Sequence, residues 1–110
     1  MEYEEEYKLY LKERSNVGSK DVVASSISSY VSYLRAVEEH LDIQINPSSL
    51  SSTSHEHGFV RELTKQNVVS NKTIANYRSA MRQYMNMVGE FGLERGENYY
   101  LPLYELNASS

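Results

Sequence analysis

Ile27-Ser-Ser-Tyr30-Val-Ser32-Tyr-Leu34-Arg35-Ala-Val37 is echoed 47 positions later by Ile74-Ala-Asn-Tyr77-Arg-Ser79-Ala-Met81-Arg82-Gln-Tyr84. The shared skeleton is Ile-x-x-Tyr-x-Ser-x-[Leu/Met]-Arg-x-[Val/Tyr], and each copy closes on an aliphatic residue, Leu41 or Val88. The apolar positions fall at offsets 0, +3, +7, +10 and +14, the spacing of one stripe along an α-helix. Both stretches are therefore predicted as amphipathic helices that bury an Ile, a Tyr and a Leu or Met. Arg35 and Arg82 sit on the flanks of the two stripes.

Outward from this pair, the rest of the chain reads as shorter helices and connectors. Residues 2–14 place Tyr3, Tyr7, Tyr10 and Leu11 on one face. Their Glu-rich start and Lys/Arg end match the two ends of a helix dipole. Asn16-Val-Gly18-Ser breaks that helix. The second helix is expected over about 22–41, with serines before Ile27 as N-cap candidates. Ile43 and Ile45 alternate, and Pro47 bars helix at Asn46. Ser48 to Ser54 is a serine-rich connector with Leu50 as an anchor. A third helix over 55–66 packs Phe59, Val60 and Leu63, and a fourth over 72–88 follows a cap at Ser70 or Asn71. That fourth helix buries Ile74, Tyr77, Met81, Tyr84, Met85 and Val88, and the segment Gly89 to Gly96 ends it. The expected fold is a single all-α bundle of four main helices with an apolar tail over 97–110.

Composition narrows the function. At 110 residues, 40% apolar and 24% charged, the chain is sized for one domain with one core. It has no Cys, so disulfides and thiolate chemistry are excluded. The start Met-Glu-Tyr-Glu-Glu-Glu is the opposite of a basic signal-peptide head, and no apolar run reaches membrane length. A cytoplasmic location, away from membranes, is the expectation.

The net charge is −4, but it is unevenly distributed. Residues 1–14 carry five Glu, and residues 90–110 carry four against Arg95. Residues 63–89 hold Lys65, Lys72, Arg78 and Arg82 and no acidic side chain. A positive surface of this kind acts locally, over a Debye length of roughly 8–10 Å.

The order of these parts resembles the core-binding domain of the tyrosine recombinases and phage integrases, their SAM-like N-terminal helical domain. The likeness rests on Tyr10-Leu-Lys at the end of the first helix and on the helix from Ser26 to Leu41. It rests further on the short helix over 54–66, and above all on Ser70-Asn-Lys-Thr73-Ile74-Ala-Asn-Tyr77-Arg78-Ser79-Ala80-Met81-Arg82. It covers roughly residues 3–88.

The resemblance implies a domain that grips double-stranded DNA with its second and fourth helices. Carried over residue by residue, Ser28, Ser32 and Arg35 would face DNA from the second helix, and Lys72, Asn76, Arg78, Ser79 and Arg82 from the fourth. Lys and Arg suit phosphate neutralisation, while Ser and Asn suit fixing of register. The family's catalytic Arg, His-x-x-Arg and nucleophilic Tyr find no match in this sequence, so the expectation is a non-enzyme, a mobile-element accessory or remnant.

Other readings stand beside these. Tyr30 and Tyr77 lie on apolar stripes and are expected in the core rather than as nucleophiles. Arg35 can pair with Glu38 or Glu39 at helical spacing. His40 is expected to interact with the dipole at the end of its helix. His55-Glu56-His57 has the wrong spacing for ligands on a helix, so no metal site and no cofactor is expected. Glu4-Glu-Glu6 and Glu38-Glu39 read as exposed helix surface. The rival function is a protein-interaction module or homodimer that uses the tail residues Tyr99, Tyr100, Leu103 and Tyr104. Exposed, these would form an apolar patch of the size that marks interfaces.

Overall fold

The computed structural model describes residues 1–13 and 23–93. Four helices follow in order: α1 (Glu4–Glu13), α2 (Val23–Leu41), α3 (Thr53–Gln66) and α4 (Asn71–Phe91). α4 packs against each of the other three, and the seam between α2 and α4 is the most extensive. The chain is all-α among the described residues, as the two long stripes require. The tail residues Tyr99, Tyr100, Leu103 and Tyr104 lie outside the described residues, as do Arg14 and the break at Asn16-Val-Gly18.

α1 has Glu4, Glu5 and Glu6 in its first turn and Lys12 in its last, the arrangement that stabilises both ends of the dipole. It buries Tyr7, Tyr10 and Leu11. Helix was expected from residue 2, but Glu2 N–H donates to the carbonyl of Ile45 at 2.9 Å. The chain then turns through Tyr3 at φ 60°, and the Tyr3 carbonyl receives the amide of Tyr7 at 2.8 Å. The tie to Ile45 therefore delays the helix by two residues.

α2 buries Val31, Leu34 and Val37 completely or nearly so, while Ile27, Tyr30 and Leu41 are half-buried against the core. The strict repeat predicted equal burial for Tyr30 and Tyr77, and the structure corrects this. Tyr30 packs on Tyr33 with ring centroids 5.9 Å apart, and Tyr33 packs on Tyr77 at 5.9 Å. Tyr30 and Tyr33 are only partly buried against the core, whereas Tyr77 belongs to it. The helix ends with Asp42 at φ 53° and Ile43 N–H on the carbonyl of Glu38 at 3.1 Å, a Schellman closure. His40 stacks near Tyr77 at 6.3 Å, and its carbonyl accepts from Gln66 Nε2 at 2.7 Å.

The connector to α3 carries two core residues, Ile45 and Leu50, both fully buried. Ile45 N–H donates to Glu38 Oε2 at 2.8 Å. Asn46 Oδ1 accepts from the amides of Ser48 and Ser49 at 2.8 and 2.9 Å. This side-chain-closed turn directs Leu50 inward.

α3 starts two residues earlier than expected because Ser52 caps it, its Oγ accepting from His55 N–H at 3.3 Å. Asn67, at φ 53°, closes it with N–H on the carbonyl of Leu63. Leu63 is fully buried, while Phe59 and Val60 pack in the partly buried margin.

Ser70 is the cap of α4, with its Oγ 3.1 Å from Thr73 N–H. The helix buries Ile74, Tyr77, Ala80, Met81, Tyr84, Met87 and Val88, with Met85 half-buried. It runs past Gly89, where it was expected to end. Gly89 lies on the exposed side, and a glycine there costs only about 1 kcal/mol relative to Ala. The actual stop is Gly92, left-handed at φ 69°.

Two tyrosines fasten α1 and the residues just before it to α4. Tyr7 Oη donates to the carbonyl of Ala80 at 2.8 Å and Tyr84 Oη to that of Glu2 at 2.9 Å, with the rings 5.6 Å apart. Burial pushes both phenols well above their ordinary range, so both stay donors. Among the described residues no buried polar side-chain atom lacks a partner, and no helix is long and apolar enough to cross a membrane.

Candidate nucleic-acid interface

The face of α4 turned away from the bundle exposes Asn71, Lys72, Ala75, Ser79, Arg82 and Asn86, with Asn76, Arg78 and Gln83 half-exposed. No carboxylate occurs on α4 until Glu90. The first turn, capped by Ser70, holds no acidic residue either. Its amides and the positive end of the dipole are therefore not answered by a local anion. Polar amides, a hydroxyl and three cations on one face match what a phosphate backbone accepts.

The face is anchored by a residue from α3. Glu56 is 2% exposed and receives Arg78 Nε on Oε2 at 2.9 Å. Arg82 Nε lies 3.3 Å from each of its oxygens. The two arginines are one helical turn apart, so a single carboxylate can meet both. Burial by itself pushes the Glu56 carboxyl up. The hydrogen bonds and charges of Arg78 and Arg82 together outweigh burial and hold it below the ordinary range.

A depressed carboxyl contributes stability that is fully present above the unfolded value and is lost as pH falls through the folded one. The expected result is a melting temperature that drops on acidification from about pH 5 toward pH 3. Glu56→Gln should flatten that drop, and melting curves over this range check it. An identical acid profile for the two proteins would remove Glu56 from the account.

Glu56 is the residue to which the sequence reading assigns no role. The triplet His55-Glu56-His57 has the wrong spacing for a metal site, and its central residue is the buried end of an ion-pair clasp. The signal was present: Glu56, Phe59, Val60 and Leu63 fall on one stripe, and an acid in a stripe position calls for a cation. The Arg-x-x-x-Arg spacing at 78 and 82 supplies two. His55 serves the local turn, its Nδ1 accepting from Ser51 N–H at 3.0 Å. Among the described residues no group of three or more possible ligands converges on a metal position.

The residues expected on α2 lie together elsewhere. Ser28, Ser32 and Arg35 line a groove of about 370 Å³ between α1 and α2, with Glu4, Lys8, Ile27 and Val31. Arg35 does not pair with Glu38 or Glu39. Its guanidinium is 2.6 Å from Glu4 Oε2, because Glu38 is held by the Ile45 amide and the Met1 ammonium. The hydrogen bond from Arg35 holds the Glu4 carboxyl below its ordinary range. Lys8 completes the cluster at 3.4 Å from Glu4 and 3.2 Å from Glu5.

This groove is therefore balanced in charge, while the α4 face keeps a surplus. Arg78 and Arg82 are brought together, with Lys72, Asn76 and Ser79 on the same helix. Arg35 is instead drawn to the acidic N-terminal stretch. Lys65 pairs loosely with Glu62 at 3.9 Å.

The family profile of the phage integrase N-terminal SAM-like domain matches residues 5–88, a span that takes in α2, α3 and most of α1 and α4. Comparison with curated proteins and with solved structures returns no match.

Proposed function

The chain belongs to the phage integrase N-terminal SAM-like domain family, and from that premise we propose that it binds double-stranded DNA without cleaving it. The observation that supports this most is the outward face of α4, free of carboxylates from Asn71 to Gly89. On it Lys72, Arg78 and Arg82 supply charge, and Asn76 and Ser79 supply hydrogen bonds. The matched domain is the N-terminal one, and the recombinase pattern of Arg, His-x-x-Arg and nucleophilic Tyr is not found in this sequence. A role in a mobile element, as accessory or remnant, fits the same reading.

The test must avoid Arg78 and Arg82, whose reversal would disturb the fold through Glu56. Lys72 and Ser79 are both exposed, and neither contributes to the core. Fluorescence anisotropy with a duplex of about 30 base pairs is expected to show binding that weakens with salt, by a slope of about −0.9 per phosphate neutralised. Lys72→Glu with Ser79→Glu is expected to weaken it at least about tenfold, roughly 1.4 kcal/mol, with an unchanged circular dichroism spectrum. Wild-type protein that ignores the duplex even at low salt would sink the DNA reading and leave the family membership as a statement of fold.

A further inference from the structure

We propose that Glu56 is a positioning residue that holds Arg78 and Arg82 as a paired clamp for one DNA phosphate. The inference rests on the DNA reading of the α4 face and deepens it.

The geometry separates the charges by depth. The Glu56 side chain is 2% exposed, whereas those of Arg78 and Arg82 are 38% and 56% exposed. The anion is inside and both cations reach solvent, so an approaching phosphate meets N–H donors rather than the carboxylate.

Both guanidiniums use Nε for the inner contact. Each has five N–H groups on a rigid plane, so the contact with Glu56 takes one and leaves the four on the Nη atoms. Fixing Nε also fixes that plane. An arginine on a solvated helix samples many rotamers that a phosphate contact must freeze. Here that ordering is done before DNA arrives.

The charge count agrees. Two guanidiniums share one carboxylate, so the cluster retains one positive charge and still attracts an anion. A buried carboxylate is also a poor device for joining α3 to α4, since an apolar side chain at that position holds helices together at least as well. Its presence at the base of two outward-reaching arginines points to aim rather than adhesion.

Glu56→Gln separates aim from charge. It keeps the side chain's size and one acceptor oxygen but removes the charge, which makes the face more positive by one. Charge counting alone therefore gives tighter DNA binding for this variant. The clamp gives weaker binding, by about threefold to tenfold at about 0.15 M salt, where the extra charge is largely screened. It also gives a shallower salt slope, because one phosphate is no longer gripped. A role confined to stability would leave the slope of the folded protein unchanged.

Wild type and Glu56→Gln are titrated on the same duplex, with circular dichroism confirming the fold. Weaker binding with a shallower slope supports the clamp. Equal or tighter binding by Glu56→Gln overturns the clamp and leaves the DNA reading intact, while a wild type that does not bind overturns both. If Glu56→Gln does not fold, Glu56→Asp takes its place. It keeps the charge but withdraws it by one methylene, and the same weakening is expected, with unchanged binding overturning the clamp.

Discussion

Tyr84→Ala is expected to lower the unfolding free energy by about 4 kcal/mol, within the range of about 3–5 for a large buried aromatic. Tyr84 is fully buried in the C-terminal half of α4. Its ring meets that of Tyr7, and its hydroxyl holds the Glu2 carbonyl. Removal leaves a cavity bounded by α1 and α4 and releases the segment that delays α1. For a domain of this length the melting temperature should fall by about 15 °C. Tyr84→Phe keeps the ring and gives up one hydrogen bond, so it should cost about 1 kcal/mol. Thermal and urea unfolding of the two variants measure the difference. An alanine variant that melts within a few degrees of wild type would contradict the packing described for this residue.

The second large effect belongs to the clasp. Replacing both Arg78 and Arg82 by Ala strands a carboxylate that is 2% exposed, and breaking a buried pair from one side typically costs about 3–5 kcal/mol. The lower end, about 3 kcal/mol, is expected because the guanidiniums are themselves partly in water. Arg82→Ala alone should cost much less, since Arg78 stays 2.9 Å from Oε2. Adding Glu56→Met to the double variant should restore most of the loss, because an apolar side chain of similar size needs no cation. Unfolding measurements on the single, double and triple variants close this cycle. A triple variant less stable than the double would refute the clasp as a source of stability.

The parts of the fold that could be read from sequence are those written in period and punctuation. The two Ile-x-x-Tyr stripes became α2 and α4, Ser70 became a cap, and Leu50 became the anchor of its connector. The misses have specific physical causes. The start of α1 depends on Ile45, more than forty residues away in the chain, and no local pattern reports that tie. Gly89 looked like a stop because glycine is a weak helix former, yet the left-handed stop lies at Gly92. Tyr30 and Tyr77 hold equivalent places in the repeat but differ in burial, because the repeat is a property of one helix and burial is a property of its neighbours.

The same division holds for the candidate interface. The acid-free run over 63–89 was visible in the sequence, and it does lie in part on an exposed face. Arg35 was grouped with it by likeness to a family, but its partner Glu4 comes from a helix that no local pattern links to it. Glu56 was the informative omission. Its place on the stripe with Leu63 was available, but the pattern around it drew attention to the histidines.

The sharing of Glu56 by two surface arginines also constrains how this face can change over generations. Arg78 and Arg82 look like exposed positions, free to drift, but losing both exposes the chain to misfolding before any effect on a partner is felt. One arginine can go while the other still answers Glu56, but a neutral or apolar residue must arrive at position 56 before the second is lost. Reversion meets the opposite order, since a carboxylate restored at 56 is tolerated only where a cation already waits on α4. Substitutions at these three positions are therefore expected to travel together through a lineage and in a preferred sequence, although only two of them belong to the surface.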